Sequence, residues 1–231
     1  MKEIIKVALP YKNSNDFMIS SEARVFEKYT VKDEMTKILF LSHGYIPSPK
    51  TLYKDVISLK PGHYGIFKNN KVEIFPYYDI SKIFNKKNKG FKKQCLISAI
   101  KNQMISDAKI GCFLSGGIDS SIISYVISKN YKNLETYSLR FEGSYDESIY
   151  QNKMIDKFQF NSKHQRLNFN DFKTMVDEFI YSMDQPTIDG FNTYFVSKLA
   201  KSNSVKVSFS GVGSDEIFYG YPVHKSTKLK E

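Results

Sequence analysis

Ile110-Gly111-Cys112-Phe113-Leu114-Ser115-Gly116-Gly117-Ile118-Asp119-Ser120-Ser121 is an apolar run that breaks at Ser-Gly-Gly, after which apolar residues recur at helical spacing: Ile118, Ile122, Tyr125 and Val126. The pattern predicts a strand, a tight loop and a helix. Two glycines let the backbone take positive φ and approach a ligand with no Cβ in the way. The loop N–H groups and the open first turn of the helix then converge on one spot at the positive end of the helix dipole, a place for phosphate. Ser115, Ser120 and Ser121 can add hydroxyl donors. Asp119 is out of place against a bare anion and makes sense if a magnesium ion lies between them. The common nucleotide loop G-x-x-x-x-G-K-[ST] is not met, because there is no Lys and the spacing differs. A plain βα turn, with Asp and Ser favoured at a helix start, is the alternative.

Further along, Ser208-Phe209-Ser210-Gly211-Val212-Gly213-Ser214-Asp215-Glu216-Ile217-Phe218-Tyr219-Gly220-Tyr221 has the same grammar. A strand is expected over 205–209, then a Gly-bearing turn and an acidic pair at a helix start. Between the two motifs, strands are expected over 134–141 and around 164–167, and helices over 145–158, 171–183 and 192–201. A helix over 91–106 precedes the first motif. Strands alternating with helices imply a parallel, doubly wound α/β sheet, whose ligands bind at the carboxyl edge of the strands.

These residues resemble a known family. Ser115-Gly116-Gly117-Ile118-Asp119-Ser120 resembles the pyrophosphate loop of the N-type ATP pyrophosphatases, with their adenine nucleotide alpha hydrolase-like fold. Ser210-Gly211-x-Gly213-Ser214-Asp215-Glu216, with Gly220-Tyr221, narrows the likeness to the asparagine synthetase branch. Tyr145-Asp146-Glu147-Ser148, His164 and the run from Gln185 through Pro186, Thr187, Ile188, Asp189, Gly190, Asn192 and Thr193 to Tyr194 fall in that family's order. Residues 17–80 resemble the closing part of its glutaminase domain. The resemblance implies an asparagine synthase-like ligase of asparagine biosynthesis, which uses ATP to adenylate the side-chain carboxylate of aspartate, releases pyrophosphate, and lets ammonia displace AMP. It also implies a glutamine amidotransferase half that makes the ammonia with an N-terminal cysteine. Here residue 2 is Lys2 and the cysteines are Cys95 and Cys112 alone, so the nucleophile is absent.

By the family pattern Phe113, Leu114, Leu139, Ser210 and Gly211 line the ATP site, and Ser115, Gly116, Gly117, Asp119 and Ser120 hold the leaving pyrophosphate. Asp119 and Asp215 would hold magnesium, and with Glu216 form the catalytic set. Glu216 is read as a water-mediated ligand, with a helix cap as the alternative. Asp146 and Glu147 are read as a helix start or as functional acids. His164 is read as a satisfied core or edge histidine of a short strand rather than a catalyst. Asp189, Asn192 and Tyr221 are candidate substrate contacts. One departure bears on chemistry: where the family's asparagine-forming members carry Glu, this chain has Val212, which cannot take up the proton of an incoming amine.

The division expected is a partial glutaminase-type α+β lobe over 1–82, a Lys- and Asn-rich linker over 83–93, and a synthetase domain over 94–231. The lobe's strands are expected at 4–9, 17–20, 64–67 and 72–75, and its helices at 21–27 and 32–41. Family members continue past the Gly-Tyr, so the resemblance implies a chain incomplete at both ends, with a second polypeptide to supply missing parts as one expectation. Three readings follow: the aspartate ligase; a ligase for another carboxylate and amine, as in secondary-metabolite or polysaccharide synthesis; or an inactive nucleotide-binding remnant.

Composition narrows the classes. No 18-residue apolar run and no signal peptide occur, so a cytoplasmic protein without membrane contact is expected. Two cysteines without C-x-x-C spacing argue against zinc and a disulfide framework. The net charge of +10 is spread, with one cluster at Lys86, Lys87, Lys89, Lys92 and Lys93, and reads as a solvated basic surface rather than a nucleic-acid footprint.

Overall fold

The computed structural model describes residues 18–69, 71–79, 81–84, 92–141, 146–218 and 220. They fall into two units, Met1–Gly90 with Met175–Phe191, and Phe91–Thr174 with Asn192–Glu231.

In the first unit, Ala23–Lys28 forms a 3-10 turn rather than the expected α-helix. It buries Ala23 and Phe26 against Tyr53 and Val56. Residues 18–20 carry no strand: the Ser20 hydroxyl oxygen accepts the Glu22 N–H at 3.2 Å, and a local bond of this kind competes with a sheet ladder. Helix α1 (Glu34–His43) starts where the Asp33 carboxylate accepts the Met35 N–H at 3.0 Å and stops at Gly44, left-handed at φ 76°. Strands β1 (His63–Lys68) and β2 (Lys71–Pro76) pair antiparallel across Asn69, at φ 51°, each extending one residue past both ends of the expected 64–67 and 72–75. They are the whole of this sheet among the described residues. The strand expected at 4–9 lies outside the described residues. A helical turn, α2 (Ser81–Phe84), runs from the end of the expected lobe into the stretch read as polar linker.

The same unit holds the run that follows Met183. The Leu52 N–H donates to Gln185 Oε1 at 2.8 Å, the Arg24 N–H to Asp184 Oδ1 at 2.9 Å, and the Ile188 N–H to the Gly44 carbonyl at 2.9 Å. Tyr45 and Thr187 form an isolated antiparallel bridge.

The second unit is built on α3 (Lys93–Gln103), β3 (Ile110–Phe113), α4 (Ile118–Ser128), β4 (Glu135–Phe141), α5 (Ser148–Phe158), β5 (Asn161–Leu167), α6 (Phe169–Ser182), α7 (Phe191–Ser202), β6 (Val207–Phe209) and α8 (Ser214–Phe218), the unit boundaries falling within α6 and α7. The four strands lie in the order β5-β4-β3-β6, all parallel, the doubly wound sheet that the sequence predicts.

Period-two alternation splits the strand residues between two cores. Cys112 and Leu114 face Ile100 of α3 and Val126 and Ile127 of α4, with Met154, Ile155 and Phe158 of α5 beside them. Phe113, Tyr137 and Leu139 face Val196, Leu199 and Ala200 of α7. Full burial of each large apolar side chain contributes roughly 1.5–3 kcal/mol. From β3 the chain builds to one side through β4 and β5, then returns to the other side as β6. The strand order therefore reverses between β3 and β6, and a crevice opens at the carboxyl ends of the strands at such a reversal.

Candidate functional site

Both motifs leave the sheet at that reversal. Register pairs Ile110 with Val207, Gly111 with Ser208 and Cys112 with Phe209, so the loops after β3 and β6 start side by side. Their backbones touch: a Cβ on Gly211 would lie 3.1 Å from the Ser120 nitrogen and 3.3 Å from Asp119 Cβ. Glycine is what permits the approach.

The first loop holds its own shape. The Leu114 N–H still donates to the Tyr137 carbonyl at 2.9 Å, and the chain then turns through Gly116 at φ 93°. Ser120 Oγ accepts the Ser115 N–H at 3.2 Å, meets the Ser115 hydroxyl at 3.0 Å, and donates to the Gly117 carbonyl at 3.2 Å. Ser115 Oγ accepts the Gly117 N–H at 3.2 Å. Ser120 is buried, so its hydroxyl shapes the loop from within, whereas Ser115 is exposed. Helix α4 begins without a side-chain cap, which leaves first-turn N–H groups open on the side that the second loop approaches.

In the second loop the Val212 N–H donates to Ser210 Oγ at 3.2 Å and the Ser214 N–H to the Gly211 carbonyl at 3.2 Å. Gly213 takes φ 91°, and α8 starts with Asp215 and Glu216 in its first turn. The Gly220 N–H donates to the Asp215 carbonyl at 3.1 Å, and a Cβ on Gly220 would collide with the Asp215 carboxylate. That glycine leaves room for the Asp215 side chain. Asp215 is half-buried, and Glu216 and Val212 are exposed.

Burial, and then the negative charge of Asp215, raise the Asp119 carboxyl above its ordinary value. Two carboxylates that repel across a crevice are a fit donor pair for a hard divalent cation such as magnesium, which binds through one or two carboxylates and completes its shell with water and phosphate oxygens. Among the described residues no cluster of three or more His, Cys, Asp or Glu is placed to hold a metal, so phosphate oxygens and water would have to supply the remaining ligands.

Leu114 is buried, its carbonyl accepting the Ser138 hydroxyl at 2.8 Å. Phe113 and Leu139 turn their side chains to the α7 face. Asp146 Oδ1 accepts the Ser148 N–H at 3.0 Å and Oδ2 the Ser148 hydroxyl at 2.9 Å, so this acid starts α5. Burial raises the Glu147 carboxyl. His164 is exposed on β5, the edge strand, and partial loss of water around its ring first, then the positive charges of Arg140 and Arg166, push it below the usual histidine value. Asp189 is exposed in the run belonging to the first unit, its N–H donating to Thr187 Oγ1 at 3.1 Å, and Asn192 is exposed in the first turn of α7. Tyr221 lies outside the described residues.

The sequence reading did not single out Gln151. It is 1% exposed on α5, and its Nε2 donates to the Leu139 carbonyl at 3.1 Å and toward the Ser115 carbonyl at 3.4 Å. The available signal was a lone amide in the apolar stripe Gln151, Met154, Ile155, Phe158 at helical spacing.

A model of the asparagine synthase family matches residues 93–231. A putative glutamine-hydrolysing asparagine synthetase of Methanocaldococcus jannaschii is 36% identical over 232 residues, covering 93% of this chain and 44% of that protein. A glutamine-hydrolysing asparagine synthetase of Bacillus subtilis is 27% identical over 194 residues, 80% of this chain and 30% of the relative. The human glutamine-hydrolysing asparagine synthetase is 31% identical over 166 residues, 66% of this chain and 28% of the relative. The chain thus spans less than half the length of each of these relatives. Among solved structures, an NH3-dependent NAD synthetase of Campylobacter jejuni aligns over 55% of this chain and 58% of its own, at TM-score 0.39 and 17% identity, too distant to inform the site.

Proposed function

The chain belongs to the asparagine synthase family, and on that premise we propose that its second unit binds magnesium ATP at the β3/β6 edge and adenylates a carboxylate, aspartate by preference, for transfer to an amine. The observation that carries this reading is the meeting of the two loops, with the Gly211 Cβ position 3.1 Å from the Ser120 nitrogen at the reversal of strand order.

The chemistry asks for little covalent help. A carboxylate oxygen attacks the α-phosphorus, the bond to the β-phosphate oxygen breaks, and pyrophosphate leaves an acyl adenylate. The amine then attacks the acyl carbon, and AMP and a proton depart. Each step is governed by position and by neutralising charge on the leaving group. First-turn N–H groups of α4 face the departing pyrophosphate, while the Ser115–Ser120 hydroxyl pair keeps the loop open around it. Asp119 and Asp215 would hold the magnesium, which supplies positive charge to the leaving group when bound.

A second reading has its own observation. Val212, exposed between Gly211 and Gly213, is apolar where the family's asparagine-forming members have a carboxylate, which favours an amine other than ammonia or a carboxylate other than aspartate. The test is incubation with magnesium, α-labelled ATP, ammonium and aspartate, then with a panel of other carboxylic acids and amines, following AMP and pyrophosphate, with Asp119→Ala alongside. Aspartate-dependent release that Asp119→Ala abolishes supports the first reading, and release only with another acid or amine supports the second. Release with none, from a folded chain, overturns ligase activity for this chain.

A further inference from the structure

We infer that Gln151 is a positioning residue for the phosphate loop, a clip from α5 that holds the ends of β3 and β4 together so that the loop N–H groups converge. Its side-chain amide sits between two backbone carbonyls at the carboxyl edge of the sheet, Leu139 at 3.1 Å and Ser115 at 3.4 Å. The reverse orientation of the amide would set Oε1 against both carbonyl oxygens, so the donor assignment follows from chemistry. The arrangement has a cost. Gln151 is 1% exposed, and its Oε1 is buried without a hydrogen-bond partner. An apolar residue would fit the stripe of Met154, Ile155 and Phe158 without that orphan, so packing alone does not account for glutamine here.

A second contact ties the same turn of α5 to the loop. A Cβ on Gly116 would meet the Glu147 carbonyl oxygen at 3.1 Å, Tyr150 Cβ at 3.1 Å and the Gln151 nitrogen at 3.3 Å. The left-handed residue of the loop therefore rests on the start of α5, and the Gln151 amide reaches over it to the neighbouring Ser115 carbonyl. Loop shape is thus set from outside the loop as well as by Ser115 and Ser120 within it.

The role deepens the proposed function and rests on it for the identity of the ligand, so the test separates the two. Amide hydrogen exchange at Ser115–Ser121 is compared in wild type, Gln151→Leu and Gln151→Glu, alongside calorimetric titration with magnesium pyrophosphate. Gln151→Leu removes the donor together with the orphan acceptor, so it is expected to melt close to wild type. Its loop amides should nevertheless exchange about tenfold faster and its pyrophosphate affinity fall about tenfold, the scale of one lost hydrogen bond. In Gln151→Glu the ionised carboxylate faces two carbonyls. Its exchange relative to wild type is expected to return toward unity as pH is lowered and the carboxyl regains a proton to donate, a pH dependence that a space-filling role would not produce. Faster loop exchange in Gln151→Leu while wild type takes up no pyrophosphate supports the clip and overturns the cradle reading. Unchanged loop exchange in both variants overturns the clip whether or not pyrophosphate binds.

Discussion

Gly116 and Gly213 share nearly the same positive φ, 93° and 91°, and differ in what surrounds them. A Cβ at Gly116 meets backbone and side chain at 3.1 Å, while at Gly213 nothing lies within 4 Å. Gly116→Ala is therefore expected to cost about 2–3 kcal/mol in urea unfolding and Gly213→Ala only about 1 kcal/mol, the cost of the backbone angle alone. Asp119 carries the charge prediction. Its carboxyl is raised by burial and then by Asp215, so the folded state favours the protonated form. That contribution to stability is present below the ordinary carboxylate value and lost as pH rises through the raised one. Asp119→Asn should accordingly be at least as stable as wild type at pH 7, with the difference shrinking toward pH 4, while losing magnesium-dependent nucleotide binding. Lower stability at pH 7 in urea unfolding would contradict this. The two turns themselves were legible in the sequence because their serines bond partners within five positions, Ser115 with Gly117 and Ser120, and Ser210 with Val212. Gln151 was not, because the carbonyls it holds lie 36 and 12 residues away in the chain.

The strands and helices were legible wherever apolar periodicity was strong. β3, α4 and β4 fall where the pattern places them, since Cys112, Leu114, Val126, Ile127 and Tyr137 supply the buried positions. β5 runs from Asn161, ahead of the stretch expected around 164–167, because pairing with β4 from Glu135 onward extends a polar segment that has no apolar signal of its own. The turn at Ala23–Lys28 is 3-10 for a comparable reason: only Ala23 and Phe26 are buried, a spacing of three. Two predictions belong at this scale. Ser204 takes φ 61° in the connection from α7 to β6, so Ser204→Gly should raise stability by about 0.5–1 kcal/mol, read by thermal and urea unfolding. In β3, burial pushes the Cys112 thiol up to about 11, partly offset by the Ser124 hydroxyl, whereas Cys95 is exposed. A thiol reagent at neutral pH should therefore titrate Cys95 at once and Cys112 only in denaturant. Rapid native reaction of Cys112 would mean that β3 is not the closed strand described here.

Across the whole molecule, two compact units carry different amounts of sequence signal. The second was the more legible, because β3 and β4, packed against helices on both faces, write themselves as short apolar runs between helical stretches. That Met175–Phe191 joins the first unit was not legible: its anchors are single polar groups, Gln185 on the Leu52 N–H and Asp184 on the Arg24 N–H, set by pairings across more than a hundred residues. No helix among the described residues is long and apolar enough to cross a membrane. Residues 115–121 and 210–215 meet at one edge of one sheet. The measurement that tests that edge as the nucleotide site most directly is amide hydrogen exchange of the chain with and without magnesium ATP, resolved along the sequence and repeated on Asp119→Asn. Slowed exchange is expected at Ser115–Ser121 and at Ser210–Asp215 together, and is expected to be absent in Asp119→Asn. Protection confined to other segments, or unchanged by that substitution, would contradict the claim that the β3/β6 edge is the nucleotide site.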